Sequence, residues 1–201
     1  MAIPTAHINT RSADRQSAII WPLEYQPGTV DNFVTNETIA AGISASQIWA
    51  QLADISKWES YYYNVSSITP PSSGPVLKKG EQFKFSTFGF PVLTCDVMES
   101  VEPSRGQAGR IAWKATLGEE GSEEWVSVYH AWLVEDLDGG RVRVLTQEAQ
   151  KGKPAAELAG VRPNKMLLGH QDWLDGLVKS VSGEKVVKQE TNLAKVGMLE
   201  Y

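Results

Sequence analysis

Apolar and polar positions change their period several times along the chain, and each change marks a predicted element. From Phe33 to Ala41 the residues alternate, Phe33, Thr35, Glu37, Ile39 and Ala41 against Val34, Asn36, Thr38 and Ala40, which predicts a strand ending at Gly42. Ile48, Trp49 and Leu52 then fall at helical spacing behind Ser44 or Ser46 as N-cap. Asp54 or Ser56 can cap a second short helix, ahead of the aromatic cluster Trp58, Tyr61, Tyr62 and Tyr63. Turn residues crowd Pro70 to Gly80, after which a period of two returns: Phe83 and Phe85, a turn at Phe88-Gly89-Phe90-Pro91, then Leu93, Cys95 and Val97. Ile111, Trp113, Ala115 and Leu117 mark the next strand. Glu124 to Asp136 marks another, with Val126, Val128, His130, Trp132 and Val134 on one face.

Asp138-Gly139-Gly140 is a tight-hairpin signal, because such turns need residues that accept positive φ. Beyond it Val142, Val144, Thr146 and Glu148 alternate with Arg141, Arg143, Leu145 and Gln147. With the tip at 138–140, paired positions sum to about 278, so His130 and Glu148 face each other on the apolar side of the hairpin. The last clear element is a helix from about Pro163 to Val181, stopped by Gly183. Its apolar stripe, which includes Met166, Trp173, Leu174 and Leu177, also carries His170. A single sheet with one apolar face must be covered, and this helix is the only long element available. A helix about 10 Å wide cannot fill the concavity of a curved sheet of six or seven strands, so a pocket is expected.

Residues 1–32 lack period and read as an irregular arm, packed through Trp21 and Leu23; 33–183 form the domain; 184–201 read as a loosely ordered tail. Composition narrows the partners. The net charge of −5, with 19 basic residues against 24 acidic ones, does not supply the dense cationic surface that nucleic acid requires. One cysteine, Cys95, forbids an intramolecular disulfide. No run approaches the ~20 apolar residues of a membrane span, and no signal-peptide core is visible, so a cytoplasmic protein is expected.

The stretch Ile43-Ser-Ala-Ser-Gln-Ile-Trp-Ala-Gln-Leu-Ala-Asp54 followed by Trp58, together with Leu77-Lys-Lys-Gly-Glu-Gln-Phe83, His130-Ala-Trp132 and Gly139-Gly-Arg-Val142 leading to Glu148, resembles the START / birch-pollen-allergen-like helix-grip superfamily, which includes polyketide cyclase-like proteins. The resemblance covers roughly residues 33–183. It implies an α+β fold in which a curved antiparallel sheet grips the long C-terminal helix, two short helices follow the first strand, and a cavity between them opens to hydrophobic ligands.

Within that frame His130 and Glu148 read as a base with its orienter, and His170 as a third catalytic candidate from the opposite wall. A buried polar pair satisfying itself, and a core helix histidine, are the other readings of the same residues. Ligand-lining candidates are Tyr61, Tyr62, Phe83, Phe85, Cys95, Trp113, Trp132, Met166 and Trp173. No metal is expected, since no HExxH, cysteine pair or other close-spaced ligand motif occurs, and without a phosphate-binding glycine loop no cofactor is expected. The expected function is a cofactor-independent cyclase or dehydratase acting on a hydrophobic polyketide- or terpenoid-like molecule. Its alternative is a non-catalytic carrier or sensor of a lipid-like ligand.

Overall fold

Alternation of apolar and polar residues becomes seven strands in a single antiparallel, unclosed sheet: β1 (Asn32–Ala41), β2 (Val65–Thr69), β3 (Gln82–Thr87), β4 (Leu93–Val101), β5 (Gly109–Leu117), β6 (Val126–Leu137) and β7 (Arg141–Lys151), in the order β1-β7-β6-β5-β4-β3-β2. These elements belong to a computed structural model that describes residues 16–198. Between β1 and β2 lie α1 (Ala45–Leu52) and a 3-10 turn (Ile55–Ser60). Ser44 opens α1 with a capping box closed by Gln47, and the Asp54 side chain accepts from Ser56 N–H at the start of the 3-10 turn. After β7 come α2 (Lys153–Gly160), the long α3 (Lys165–Ser182) and the short α4 (Asn192–Lys195).

The α3 helix begins two residues beyond Pro163, because Asn164 is its N-cap and accepts from Leu167 N–H; it ends at Gly183 in the left-handed region. Its buried stripe lies in the concave face of the sheet. There Trp58, Trp113, Trp132, Trp173, Tyr61, Tyr62 and Phe83 are almost wholly buried and form one core with Ile48, Leu52 and Leu177. Gly176 makes this approach possible, since a Cβ there would sit 2.0 Å from the Tyr61 carbonyl oxygen.

Four features differ from the sequence pattern. The short strand β2 and the helix α2 carry too few apolar repeats to announce themselves, yet both form. Leu23 is 81% exposed, and Tyr25 takes the packing role instead, lying with Trp21, Val30 and Tyr129 against the convex face of the sheet. The part of the arm that is described, 16–31, is further tied down where Arg143 Nη1 donates to the Ser17 carbonyl at 2.8 Å; residues 1–15 lie outside the described residues. Finally, the tail is not loose over 184–198: Leu193 is fully buried, and Asp172 on α3 accepts from the backbone N–H groups of Asn192 and Leu193 at the start of α4.

Candidate functional site

The hairpin of β6 and β7 pairs Leu137 with Arg141 and His130 with Glu148, which is the register the Asp138-Gly139-Gly140 tip imposes. From the opposite wall, α3 brings His170 to the same carboxylate. His130 Nδ1 and His170 Nε2 lie 3.0 and 3.3 Å from Glu148 Oε2, and the two imidazole centroids are 4.6 Å apart. His130 Nε2 meets Thr146 Oγ1 at 2.7 Å. Gln150 Nε2 donates to Glu148 Oε1, and Asn32 Nδ2 in turn donates to Gln150 Oε1 at 2.7 Å. All these side chains except Asn32 come from inward positions of β6 and β7 or from α3.

Burial sets the charge of this cluster. Desolvation, only partly offset by Glu148, pushes His130 down to about 4, so its ring is neutral at pH 7. Desolvation works to raise the Glu148 carboxyl, but its contacts with His130 and His170 outweigh that and hold it below the usual carboxylate range. A neutral His130 facing an ionised Glu148 carries its proton on Nδ1, leaving Nε2 to accept from the Thr146 hydroxyl. Both nitrogens of His130 are therefore engaged. His170 differs: its Nδ1 is buried and has no hydrogen-bond partner.

The cluster forms one end of a cavity of about 40 Å³, whose apolar wall includes Phe85, Phe88, Phe90, Trp113, Met166 and Trp173. A buried water needs about 10–15 Å³ of such space, so the cavity has room for a few waters. Phe88 and Phe90 come from the tip of the β3–β4 hairpin, where Phe88 sits at φ 54. The Phe88 ring rests against Gly169, where a Cβ would sit 2.3 Å from its Cζ.

Among the predicted positions, His130, Glu148, His170, Phe85, Trp113, Met166 and Trp173 line this cavity. Tyr61, Tyr62, Phe83, Cys95 and Trp132 do not; they are packed into the core beside it. The Tyr61 hydroxyl donates to the Gln51 carbonyl, and Tyr62 stacks on Trp173 with its hydroxyl accepting from Asn64. Burial pushes the pKa of both tyrosine hydroxyls and of the Cys95 thiol up, which keeps all three neutral and the thiol inert. Sequence reasoning missed Gln150, Phe88 and Phe90. Gln150 continues the inward polar phase of Thr146 and Glu148, which was a readable signal; the hairpin tip offered none.

The curved, unclosed sheet gripping a long helix is the helix-grip fold. Among solved structures, the hypothetical protein jhp0584 from Helicobacter pylori is 44% identical, with a TM-score of 0.78 over 83% of this chain and 98% of that one; the chain belongs to the same family as that protein. The di-domain ARO/CYC protein BexL is 12% identical, with a TM-score of 0.54 over 75% of this chain and 46% of that one. A norcoclaurine synthase point mutant from Thalictrum, solved with a transition-state analogue, is 13% identical, with a TM-score of 0.52 over 76% and 94%. At such low identity the last two share the fold. No family model matches the chain, and no curated protein matches it. Among the described residues no helix is long and apolar enough to cross a membrane.

Proposed function

We propose that the protein is an enzyme of the cyclase or dehydratase kind, acting on a hydrophobic, carbonyl-bearing small molecule of polyketide or terpenoid type. The observation that carries this reading is a fully buried carboxylate with two imidazoles at the end of an otherwise apolar cavity. Nothing in core packing requires it, since buried charge costs stability unless paired. The apolar wall would hold a flexible substrate in a reactive conformer, lowering the entropic barrier, while the cluster moves a proton. His170 is the group placed to act, through its unpartnered Nδ1; Glu148 orients it, and His130, tied at both nitrogens, holds Glu148. The cavity of about 40 Å³ is smaller than such a substrate, and the Phe88–Phe90 tip on its wall is the part that would move aside to admit it.

The second reading, a carrier, is favoured by one observation: every polar atom of His130 and Glu148 already has a partner inside the protein. Native mass spectrometry after exposure to an organic metabolite extract separates the two. Appearance of an isomer or a dehydrated product, lost in His170→Ala and Glu148→Gln proteins, supports the enzyme. A bound mass identical to one supplied, with the extract unchanged, makes the protein a carrier.

A further inference from the structure

The sequence gives no sign of a metal centre, because its three nearest candidate ligands sit on three different elements: His130 on β6, Glu148 on β7 and His170 on α3. Folding brings one donor atom from each within 4.8 Å of the others. We propose that this cluster is a binding site for one divalent first-row transition-metal ion of the Zn²⁺ or Fe²⁺ class, held by His130 Nδ1, Glu148 Oε2 and His170 Nε2.

The two spacings to the carboxylate are those of ligands around an ion, and the two imidazole nitrogens lie within 4.8 Å of each other. Nitrogen and oxygen ligands at about 2.0–2.2 Å from a metal stand roughly 3.0–3.4 Å from one another in octahedral or tetrahedral geometry. The observed separations to Glu148 Oε2 are 3.0 and 3.3 Å. Charge-assisted hydrogen bonds draw in to about 2.7–2.9 Å, and the His170 contact stays well outside that range.

Two of the three ligands also have outer partners, while His170 Nδ1 has none. Ligating imidazoles and carboxylates are held from behind by outer hydrogen bonds. Here His130 Nε2 has Thr146 Oγ1, while Glu148 Oε1 has Gln150, itself held by Asn32. The carboxylate is buried, and among the described residues no lysine or arginine stands within ion-pair distance of it. A cation at the cluster supplies the missing charge. The adjoining cavity leaves space for a further ligand, as in sites that keep an open position. Two imidazoles and a carboxylate, without a thiolate, select zinc or ferrous iron over calcium or magnesium.

This inference goes beyond the enzyme reading and stands without it, because an ion can anchor a carried ligand as well as polarise a reacting carbonyl. In the loaded protein the ion takes the polarising part and His170 becomes a ligand. The test uses tag-free full-length protein, stripped with a chelator, dialysed against Zn²⁺ or Co²⁺ and assayed by elemental analysis. The expected result is about one ion retained per chain, with Co²⁺ giving ligand-field bands and no thiolate charge-transfer band. Retention is lost in Glu148→Gln and His170→Ala and unchanged in His7→Ala, the remaining histidine of the chain. Thr146→Val, which keeps all three ligands, weakens binding about 10-fold or more. Thermal melts of the stripped proteins show which variants are folded. Retention below about a tenth of an ion by folded wild-type protein, or full retention by a Glu148→Gln/His170→Ala double variant, overturns the proposal. Since no substrate is present, ion retention and product formation succeed or fail separately.

Discussion

Two halves of one concave surface behave differently. Toward α1 and the 3-10 turn the grip is solid. Trp58 donates its indole N–H to the Leu52 carbonyl and lies edge-on to Phe83, Phe85 and Trp173 at centroid distances of 4.9–5.8 Å. Toward the β3–β4 tip the same sheet and the same helix leave a cavity and place a carboxylate and two imidazoles beside it. Trp113 and Trp173 belong to both halves, so the packed half is a rigid back wall for the polar one. The difference teaches that close packing and the polar cavity are divided along α3, and substitutions at the two ends should separate stability from access to the cavity.

The largest effect belongs to the packed half. Trp58→Ala removes a fully buried ring and its hydrogen bond to Leu52, and should cost about 3–5 kcal/mol in urea unfolding. A loss below about 1 kcal/mol would show that this half relaxes around the gap and is no rigid wall.

Next comes the response of the polar half to acid. Burial lowers His130 from 6.5 to about 4, so the unfolded chain takes up a proton that the native chain refuses. Stability is therefore full above about pH 6.5 and declines as pH falls toward 4, by at most about 3 kcal/mol from this group. Glu148, also depressed, adds a further loss below its ordinary range. Urea unfolding across pH 4–8 should show this slope, and His130→Gln should flatten the part of it between pH 6.5 and 4. An unchanged slope would assign the acid sensitivity to other groups.

The fold was legible where a local rule fixed the register. Asp138-Gly139-Gly140 determined the β6–β7 pairing, and that alone placed His130 opposite Glu148. The start of α3 was readable to within two residues from Pro163, and its end from Gly183. Legibility failed where tertiary packing decided. Tyr61 and Tyr62 were expected to line the pocket, but Gly176 lets α3 close over them, which turns both into core. The outward face of β6 was likewise silent about the arm that covers Tyr129. His170 could be placed on the helix stripe from spacing, yet its contact with Glu148 depends on how α3 sits across the sheet, which no periodicity encodes.

Gly176→Ala probes the boundary between the halves from the packed side. The added Cβ meets a backbone carbonyl oxygen at 2.0 Å, and backbone is slow to yield. A loss of about 1–3 kcal/mol is expected, well above the gain of up to about 1 kcal/mol from better helix propensity. Tryptophan fluorescence should shift with it, since displacing Tyr61 disturbs the neighbouring Tyr62–Trp173 stack. A neutral or stabilising result would show that α3 can slide on the core.

Gly169→Ala makes the same chemical change two turns earlier on α3, and its effect on stability should be the smallest. Here the Cβ meets the Phe88 ring at 2.3 and 2.5 Å, a side chain at a hairpin tip that can rotate away. The helix gains up to about 1 kcal/mol of propensity, which offsets much of the cost of moving the ring, so unfolding should change by less than about 1 kcal/mol. The consequence appears in access instead: with Phe88 displaced, the cavity beside His170 opens to solvent. Binding of an apolar fluorescent probe should rise in Gly169→Ala and stay at the wild-type level in Gly176→Ala. If both variants lose stability equally and neither changes probe binding, the tip is as firmly packed as the core and the division along α3 fails.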